Sequence, residues 1–311
     1  MTLYVLRRLL ALVPTLLGIS FVAFVLAGLA PGDPAQLILD RQLDEPPTEL
    51  QLQQFRAANG LDDPFMVQYG RFAVGLLRGE LGTSFRSGKP VLGELAARVP
   101  ATLQITLPAF ALAVTFAVTV GVLSAVRRNS WVDHGSRLAA LASDSVPTFV
   151  LAYLLIILLA VQAGLLPVAG RGSWQHLVLP ILTLALGTTA SLMRVTRASL
   201  LEVLREEYVR TARAKGLPSW SVVLRHALRN ALLPVVTIAG IVLAGLATGT
   251  VIVETIFAWP GVGTFVVEAI FARDYPVIQG FVVFTGTVFV VINLGVDLMQ
   301  AALDPRIRLD T

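Results

Sequence analysis

The chain has 311 residues, of which 55% are apolar and only 14% are charged. This charged fraction is well below the roughly 25% of a soluble domain, so the composition predicts a membrane protein. The net charge is +4, but the basic residues lie between apolar runs and form no single patch, which argues against a nucleic-acid partner. The absence of cysteine excludes disulfides, and the three scattered histidines lack the i,i+4 spacing of a metal site.

Apolar runs long enough to cross a membrane recur along the chain. A hydrocarbon core about 30 Å thick requires about 20 apolar residues in a helix. The first run is longer than the core of a signal peptide, which favours a retained span over a cleaved leader. We therefore predict an all-α, polytopic membrane protein with six transmembrane helices, at residues 9–29, 101–126, 138–165, 177–197, 231–254 and 278–301.

Arginine and lysine concentrate in alternate loops. They lie before the first span, between the second and third, between the fourth and fifth, and after the sixth. Because cytoplasmic loops carry the excess of these residues, both termini are predicted to be cytoplasmic. The predicted domains are an N-terminal span at 1–30, an external helical subdomain at 31–100 and a five-helix membrane core at 101–311.

The external segment contains signals for two short helices. Thr48 and Gln51 have capping-box spacing, and Gly60 is a plausible stop, which predicts a helix at 49–58. A second, amphipathic helix is predicted after Pro64. Its apolar stripe is typical of packing, and contact with a ligand is the alternative.

Four polar residues near or within spans are candidates for lining a transport pathway, because such side chains are costly in a membrane unless they face a cavity or a partner. For Asp144, a helix-end interaction or an ion pair with Arg137 is the alternative. Asn293 and Asp297 lie one turn apart, and helix packing is the alternative. Glu254 begins an aromatic, Pro- and Gly-containing external motif that predicts a rigid turn.

The apolar run that follows this motif, at residues 265–270, has two interpretations. It re-enters the membrane, or it forms a short helical cap on the outer side.

The segment 194–234 is the densest basic stretch of the chain. Leu204, Tyr208 and Ala212 recur at helical spacing, and Gly216 is a helix stop, so residues from about 200 to 217 are predicted to form an amphipathic cytoplasmic helix. Such a helix lies on anionic lipid or docks on a protein, and the residues alone favour neither. Glu206 stands at i,i+4 before Arg210, in the order that favours an ion pair.

An ordered set of motifs covers nearly the whole chain and resembles the permease subunit of a bacterial binding-protein-dependent ABC importer, in the dipeptide, oligopeptide and nickel branch. The motifs are Leu6-Arg7-Arg8, Pro31-Gly32-Asp33-Pro34, Gly60-Leu61-Asp62-Asp63-Pro64, Gly82-Thr83-Ser84, Pro100-Ala101-Thr102-Leu103, Arg194-Val195-Thr196-Arg197, the run Tyr208 to Leu217, His226-Ala227-Leu228-Arg229-Asn230, the run Glu254 to Gly263, Arg273-Asp274-Tyr275-Pro276 and the run Leu303 to Arg308.

The resemblance implies the ABC importer type I permease fold, with a cytoplasmic coupling helix that docks into a groove of an ATPase subunit. The residues implied in this contact are Glu206, Tyr208, Arg210, Thr211, Ala212, Arg213, Lys215, Gly216 and Leu217. Importers generally carry an acidic residue where this chain has Arg210, so the usual charge is missing from that position.

The resemblance also implies a second, homologous permease, two ATPase subunits and an external binding protein, all at the cytoplasmic (inner) membrane of a bacterium. The chain has no phosphate-loop sequence and only two lysines, Lys89 and Lys215. ATP and Mg are therefore expected on the partner subunits. No catalytic residue, metal or cofactor is expected in this chain. Membrane lipid is expected to contact it.

Short peptides are the expected cargo, and nickel or a metal chelate is the alternative. The segment 194–234 resembles the peptide type, whereas the short external loop at 166–176 resembles the nickel type. An ion-coupled secondary transporter is a more distant alternative, because the sequence shows neither an internal repeat nor a dense relay of intramembrane charges.

Overall fold

The computed structural model describes residues 2–28, 33–43, 45–248 and 250–303. Within these ranges the chain is helical and contains no regular strand, which confirms the predicted all-α class. The helices are α1 (Thr2–Gly28), α2 (Pro34–Gln42), α3 (Glu49–Asn59), α4 (Phe65–Leu77), α5 (Val91–Val126), α6 (Trp131–Ser145), α7 (Thr148–Leu155, continued by a π-helical stretch Ile156–Gln162), α8 (Gln175–Val203), α9 (Glu207–Ala214), α10 (Ser219–Ser221, continued by a π-helical stretch Val222–Ala227), α11 (Leu228–Ala247), α12 (Val251–Ile256), α13 (Val262–Ala272) and α14 (Tyr275–Leu303).

The long apolar helices match the predicted spans. In the described part of the chain, four helices are long and apolar enough to cross a membrane, namely Val91–Val126, Gln175–Val203, Ser219–Ala247 and Tyr275–Ala302. The bent pair α6–α7 makes a fifth, and α1 carries a shorter apolar stretch at Val13–Val25. The predicted polytopic membrane architecture is confirmed. The second span begins earlier than predicted, because α5 is continuous from Val91.

The third predicted span, at 138–165, is wrong as a single straight helix. α6 ends at Ser145, and α7 starts at Thr148 after a bend of 103°. Pro147 causes the break, since it lacks an N–H to donate and disfavours a helical conformation in the residue before it. Val146 accordingly has extended φ and ψ angles of −100° and 117°.

The fifth predicted span, at 231–254, is also divided. α11 ends at Ala247, and α12 begins separately at Val251. The Thr248 hydroxyl donates to the Gly245 carbonyl at 3.1 Å, a local bond of the kind that competes with helix continuation. Glu254 therefore lies on a short separate helix and not at the end of the span.

The main core lies where α5 meets α8 and α11. Ala109, Ala113 and Ala117 follow one another at i,i+4 on α5, and each has 0% of its surface exposed. One turn further on, a Cβ at Gly121 would lie 2.8 Å from the Thr196 side chain of α8. This column of small residues lets the two helices approach closely, as is usual for membrane helices.

The short helices of the segment predicted to be external have the predicted caps. The Thr48 N–H donates to the Gln51 side chain at 2.8 Å, and Gly60 has a φ of 63°. The Asp33 side chain caps α2 and accepts a hydrogen bond of 2.5 Å from Arg56 of α3, which raises the pKa of that guanidinium. These contacts connect the two short helices to each other.

The apolar stripe of α4 packs on α1, which agrees with the packing interpretation. Phe24 lies edge-to-face with Phe65 and Tyr69. The Tyr69 hydroxyl also donates to the Leu17 carbonyl at 2.9 Å. The subdomain therefore rests on the first membrane helix.

The loop before α5 and the residue before α14 form a second polar connection. Asp274, with 2% of its surface exposed, accepts hydrogen bonds from the Ser84 hydroxyl at 2.5 Å and from the Phe85 N–H at 3.1 Å. α13 lies beside this contact and packs its apolar residues against the start of α5. The apolar run at 265–270 is therefore helical and packs on the bundle.

A pair of glycines on α11 tests how closely the membrane helices pack. A Cβ at Gly240 would collide with Val296 of α14, whereas a Cβ at Gly245 would meet nothing within 4 Å. We expect Gly240→Ala to lower the free energy of unfolding by about 1–3 kcal/mol through overpacking. Gly245→Ala, the matched control, should be neutral or stabilising by up to about 1 kcal/mol. Thermal unfolding of the two purified variants in the same detergent measures the difference, and equal midpoints would contradict this packing.

Candidate coupling surface and membrane pathway

The segment after α8 turns sharply before it becomes helical again. The Arg205 N–H donates to the Glu202 carbonyl at 3.0 Å, and the Glu206 N–H donates to the Val203 carbonyl at 3.1 Å. Glu206 then has an extended ψ of 148° and stands at the start of α9. The prediction of one helix from about 200 to 217 is therefore wrong, because a three-residue turn separates the end of α8 from the short helix Glu207–Ala214.

Gly216 stops this helix as predicted. It has a φ of +76°, and its N–H donates to the Arg213 carbonyl at 2.9 Å. A Cβ at Gly216 would meet nothing within 4 Å, so the backbone conformation and not lack of space requires glycine. Pro218 follows and is the N-cap residue of α10.

The inner face of α9 is fixed to the helical bundle. Val209 and Ala212 are 0% and 8% exposed and pack with Leu200 of α8 and with Val222 and Ala227 of the α10 region. Periodicity placed Tyr208 on this face and missed Val209, which is the next residue and stands at i,i+3 before Ala212. Burial of Val209 and Ala212 holds this short helix against the bundle.

The outer face of α9 and the residues after it combine cations with exposed apolar side chains. Tyr208 is 41% exposed, and its hydroxyl accepts a hydrogen bond of 2.8 Å from Asn230. Sequence reasoning missed Trp220, which is 69% exposed although Trp beside a helical stop was a usable signal. We define the coupling surface as the exposed residues Tyr208, Arg210, Thr211, Arg213, Lys215, Gly216, Leu217 and Trp220.

The predicted Glu206–Arg210 ion pair is wrong. Arg210 Nη1 instead lies 3.0 Å from Glu207 Oε1, at i,i+3. Glu206 is outside the helix, so its side chain no longer stands one turn before Arg210 on the same face. The two charged side chains of the observed pair are 71% and 88% exposed, so the pair contributes at most about 1 kcal/mol.

A buried ion pair anchors the end of α8 that carries α9. Arg197 donates to both carboxylate oxygens of Asp133, at 2.6 and 2.9 Å, and Asp133 has 0% of its side chain exposed. The carboxylate also accepts from the Ser124 hydroxyl at 2.6 Å and from the Asn129 N–H at 2.9 Å. Four donors thus offset the desolvation of the carboxylate. Sequence reasoning did not single out Asp133, since its partner is remote in the chain.

Asp144 forms an ion pair with Arg194 of α8. The alternative pairing with Arg137 is therefore wrong. The two side chains are 38% and 45% exposed, so this pair is accessible to solvent or to a neighbouring subunit.

Glu254 is buried with 0% exposure, and its carboxylate accepts hydrogen bonds that hold the turn in which it lies. It accepts from the Thr102 hydroxyl at 2.7 Å and from the Thr264 N–H at 3.0 Å, and Thr102 in turn accepts from the Val262 N–H at 2.9 Å. The indole of Trp259 donates to a carbonyl of α5 at 2.7 Å. The rigid turn predicted for this motif is present, and in this chain Glu254 holds the turn against α5 instead of lining an open cavity.

The remaining pathway candidates lie on α14. Asn293 lines a cavity of about 570 Å³ between α1, the end of α11 and α14, together with the hydroxyl residues Thr15, Thr248 and Thr285. Asp297 is half-buried one turn further along the helix. In the described ranges no group of three or more His, Asp or Glu side chains could hold a metal ion.

These features define a class: a polytopic helical permease with a short, exposed helix fixed to one end of its membrane bundle. Comparison with known proteins identifies the family. The model for the inner membrane component of binding-protein-dependent transport systems matches residues 117–309, and the model for the N-terminal part of such membrane components matches residues 1–106. The chain belongs to this family of ABC importer permeases.

Two similar relatives carry the same name. The glutathione transport system permease protein GsiC of Escherichia coli (strain K12) is 43% identical over 98% of both chains, and that of Salmonella paratyphi A is 44% identical over the same shares. A solved structure of the MetNI methionine ABC transporter in inward-facing conformations has a TM-score of 0.56 at 21% identity, and it covers 68% of this chain and 97% of that chain. This likeness shows the type I permease fold. The chain is thus a transport subunit and not an enzyme, since ATPase activity belongs to other subunits of such importers.

Two aspartates on α6 form ion pairs that differ in exposure: the Asp133 carboxylate is buried, whereas the Asp144 carboxylate is partly exposed. We expect Asp133→Asn to cost about 1–3 kcal/mol of stability, because it leaves the Arg197 guanidinium, whose side chain is only 20% exposed, without its countercharge. Asp144→Asn, the control on the same helix, should cost at most about 1 kcal/mol. Comparison of the amount of folded permease and of its unfolding temperature checks the difference. An Asp133→Asn protein as stable as the control would refute the anchoring role of this pair.

Proposed function

We propose that this chain passes short peptides, including tripeptides such as glutathione, across the cytoplasmic membrane of a bacterium after an external binding protein delivers them. The observation that carries the proposal is the likeness to permeases named for glutathione transport, at 43–44% identity over 98% of both chains. Glutathione is itself a small peptide, so these relatives favour the peptide class over nickel or a metal chelate.

In the proposed assembly, this permease pairs with a homologous permease, with two ATPase subunits that bind ATP and Mg, and with the external binding protein. Both termini and α9 face the cytoplasm. The distribution of arginine and lysine supports this orientation, because these residues concentrate in the loops that it places inside.

The coupling surface would meet a groove of the ATPase subunit. Its composition supports a protein partner: exposed Tyr208, Leu217 and Trp220 lie beside Arg210, Arg213 and Lys215, and aromatic residues and arginine are the types enriched at protein interfaces. Glu206 and Ala212 were also expected at this contact. Glu206 stands at the start of α9, and Ala212 lies on the buried face of that helix.

Movement of the ATPase subunits would pass to the bundle through two contacts. Val209 and Ala212 join α9 to the helices beneath it, and Asp133 joins the last turns of α8 to α6. Because α8 is continuous over Gln175–Val203, a displacement at its cytoplasmic end would tilt it across the membrane. Asn293, Asp297 and Asp144 remain the proposed pathway residues.

Transport into vesicles tests the cargo. The complete importer, reconstituted with its binding protein, is expected to take up labelled glutathione and a labelled dipeptide only when ATP is present, and to leave nickel outside. The matched control is the same vesicles with a non-hydrolysable ATP analogue. Uptake of nickel without uptake of either peptide would overturn the proposed cargo.

Charge reversal tests the coupling surface. Replacing Arg210, Arg213 and Lys215 together by Glu should weaken ATPase binding by about 10-fold or more, because charged groups at an interface that meet like charge cost several kcal/mol. All three side chains are exposed, so the permease should still insert and fold. The control reverses Arg127 and Arg128, which are exposed on the α5–α6 turn. Copurification of the ATPase with each variant gives the readout, and equal recovery from both would contradict the proposed surface.

A further inference from the structure

A cavity of about 350 Å³ lies between α7, α8, α11 and α12, apart from the coupling surface and from the cavity beside Asn293. Its volume falls in the range of roughly 300–1,000 Å³ that is typical of small-molecule sites. None of the described residues that line it carries a charge, and three of them are threonines: Thr148, Thr188 and Thr250.

The position of the cavity along α8 places it near the middle of the membrane. The part of α8 from Gln175 to Arg194 contains no Asp, Glu or Lys and no other Arg, and it is about 28 Å long, close to the thickness of the hydrocarbon core. Leu184 stands close to the midpoint of this length and lines the cavity, as does Thr188 one turn further on. Polar groups at this depth are costly unless they face a protein partner or a pathway.

Two of the four helices around the cavity are interrupted beside it. α7 begins at Thr148, directly after the 103° bend that separates it from α6. α12 begins at Val251, after α11 has ended at Ala247. Such breaks leave backbone groups without helical partners, and membrane proteins tolerate them where the backbone is buried in protein or lines a water-filled cavity. Discontinuous helices near the midplane are also the elements from which transporters form substrate sites.

The threonines bring hydrogen-bonding capacity to this position. Within the described part of the chain, the Thr250 hydroxyl is buried and has no hydrogen-bond partner. The Thr148 hydroxyl lies 3.6 Å from where a Cβ at Gly187 would be, so this glycine leaves room for it beside α8. The Thr188 hydroxyl donates to the Leu184 carbonyl at 2.9 Å and keeps its own oxygen as an acceptor.

This lining selects the ligand class. Hydroxyls both donate and accept, so they pair with the neutral C=O and N–H groups of a peptide main chain. A nickel ion is held by imidazole, thiolate or carboxylate groups, and none of the described lining residues supplies one. We infer that this cavity is a binding site in the membrane pathway for the main-chain amide groups of a passing peptide, whatever its side chains. The inference rests on the proposed function, because it requires a peptide cargo.

Cysteine substitution tests whether the cavity belongs to a water-filled pathway. The chain has no cysteine, so Thr148→Cys and Thr250→Cys each introduce a single thiol into the permease. In the complete importer, with or without a non-hydrolysable ATP analogue, both thiols should react with a small charged thiosulfonate in at least one of the two conditions. Thr106→Cys is the matched control, because Thr106 also has a buried hydroxyl without a partner but does not line this cavity. It should react at least about tenfold more slowly.

Uptake by valine and serine variants tests the hydroxyl and the ligand class. Thr250→Val should lower the uptake of labelled Ala-Asp and of labelled Ala-Lys to the same extent, by about three- to tenfold, since one hydrogen bond to the main chain is lost. Thr250→Ser, which keeps the hydroxyl, should restore uptake. Thr255→Val, on the same short helix but outside the cavity, should leave uptake unchanged.

Three results would overturn the inference: thiols at 148 and 250 that react no faster than the control, equal uptake by the valine and serine variants, or loss of only one of the two dipeptides. Thiol reactivity is measured without cargo, so it is independent of the proposed function. Reactive thiols in an importer that takes up neither dipeptide would show that the proposed cargo is wrong. Peptide uptake with unreactive thiols would instead show that this cavity is not on the pathway.

Discussion

The half of the structure that carries α9 depends on the ion pair between Asp133 and Arg197. The pair holds the turn after α5 against α8, within about two turns of the residue where α8 ends. A buried charge without its partner is costly, so the pair has essentially one arrangement. α9 is therefore attached to a support that is fixed to the bundle, which suits the coupling role proposed for it.

At the other end of the molecule, buried carboxylates likewise hold turns and loops against the helices. Glu254 holds the aromatic turn against Thr102 of α5, and Asp274 holds the loop at Ser84 against the start of α14. In both cases hydroxyl and backbone donors satisfy the acid, which rigidifies a polar network. Of the acids that the sequence marks as pathway candidates, Glu254 thus holds a turn in place, whereas the amide of Asn293 lines a cavity.

Local patterns in the sequence predicted the local features of this fold. The capping box at Thr48, the stop at Gly216 and the long apolar spans follow from neighbouring residues alone. The breaks after α6 and α11 were missed because an apolar run that contains Pro147 or Thr248 remains apolar on both sides of the break. The Asp133–Arg197 pair joins residues 64 positions apart, so no periodicity within one helix could reveal it. The stability of so short a helix as α9 likewise depends on tertiary burial of Val209.

The most direct test of the account is a cross-link between the coupling surface and the ATPase subunit. The natural chain has no cysteine, so a single cysteine introduced at Lys215 or at Lys89 is unique. In the assembled importer, a short bifunctional reagent is predicted to join position 215 to the ATPase and to leave position 89 unlinked. A cross-link from position 89, or none from position 215 in a complex that still hydrolyses ATP, would contradict the assignment of α9 as the coupling element.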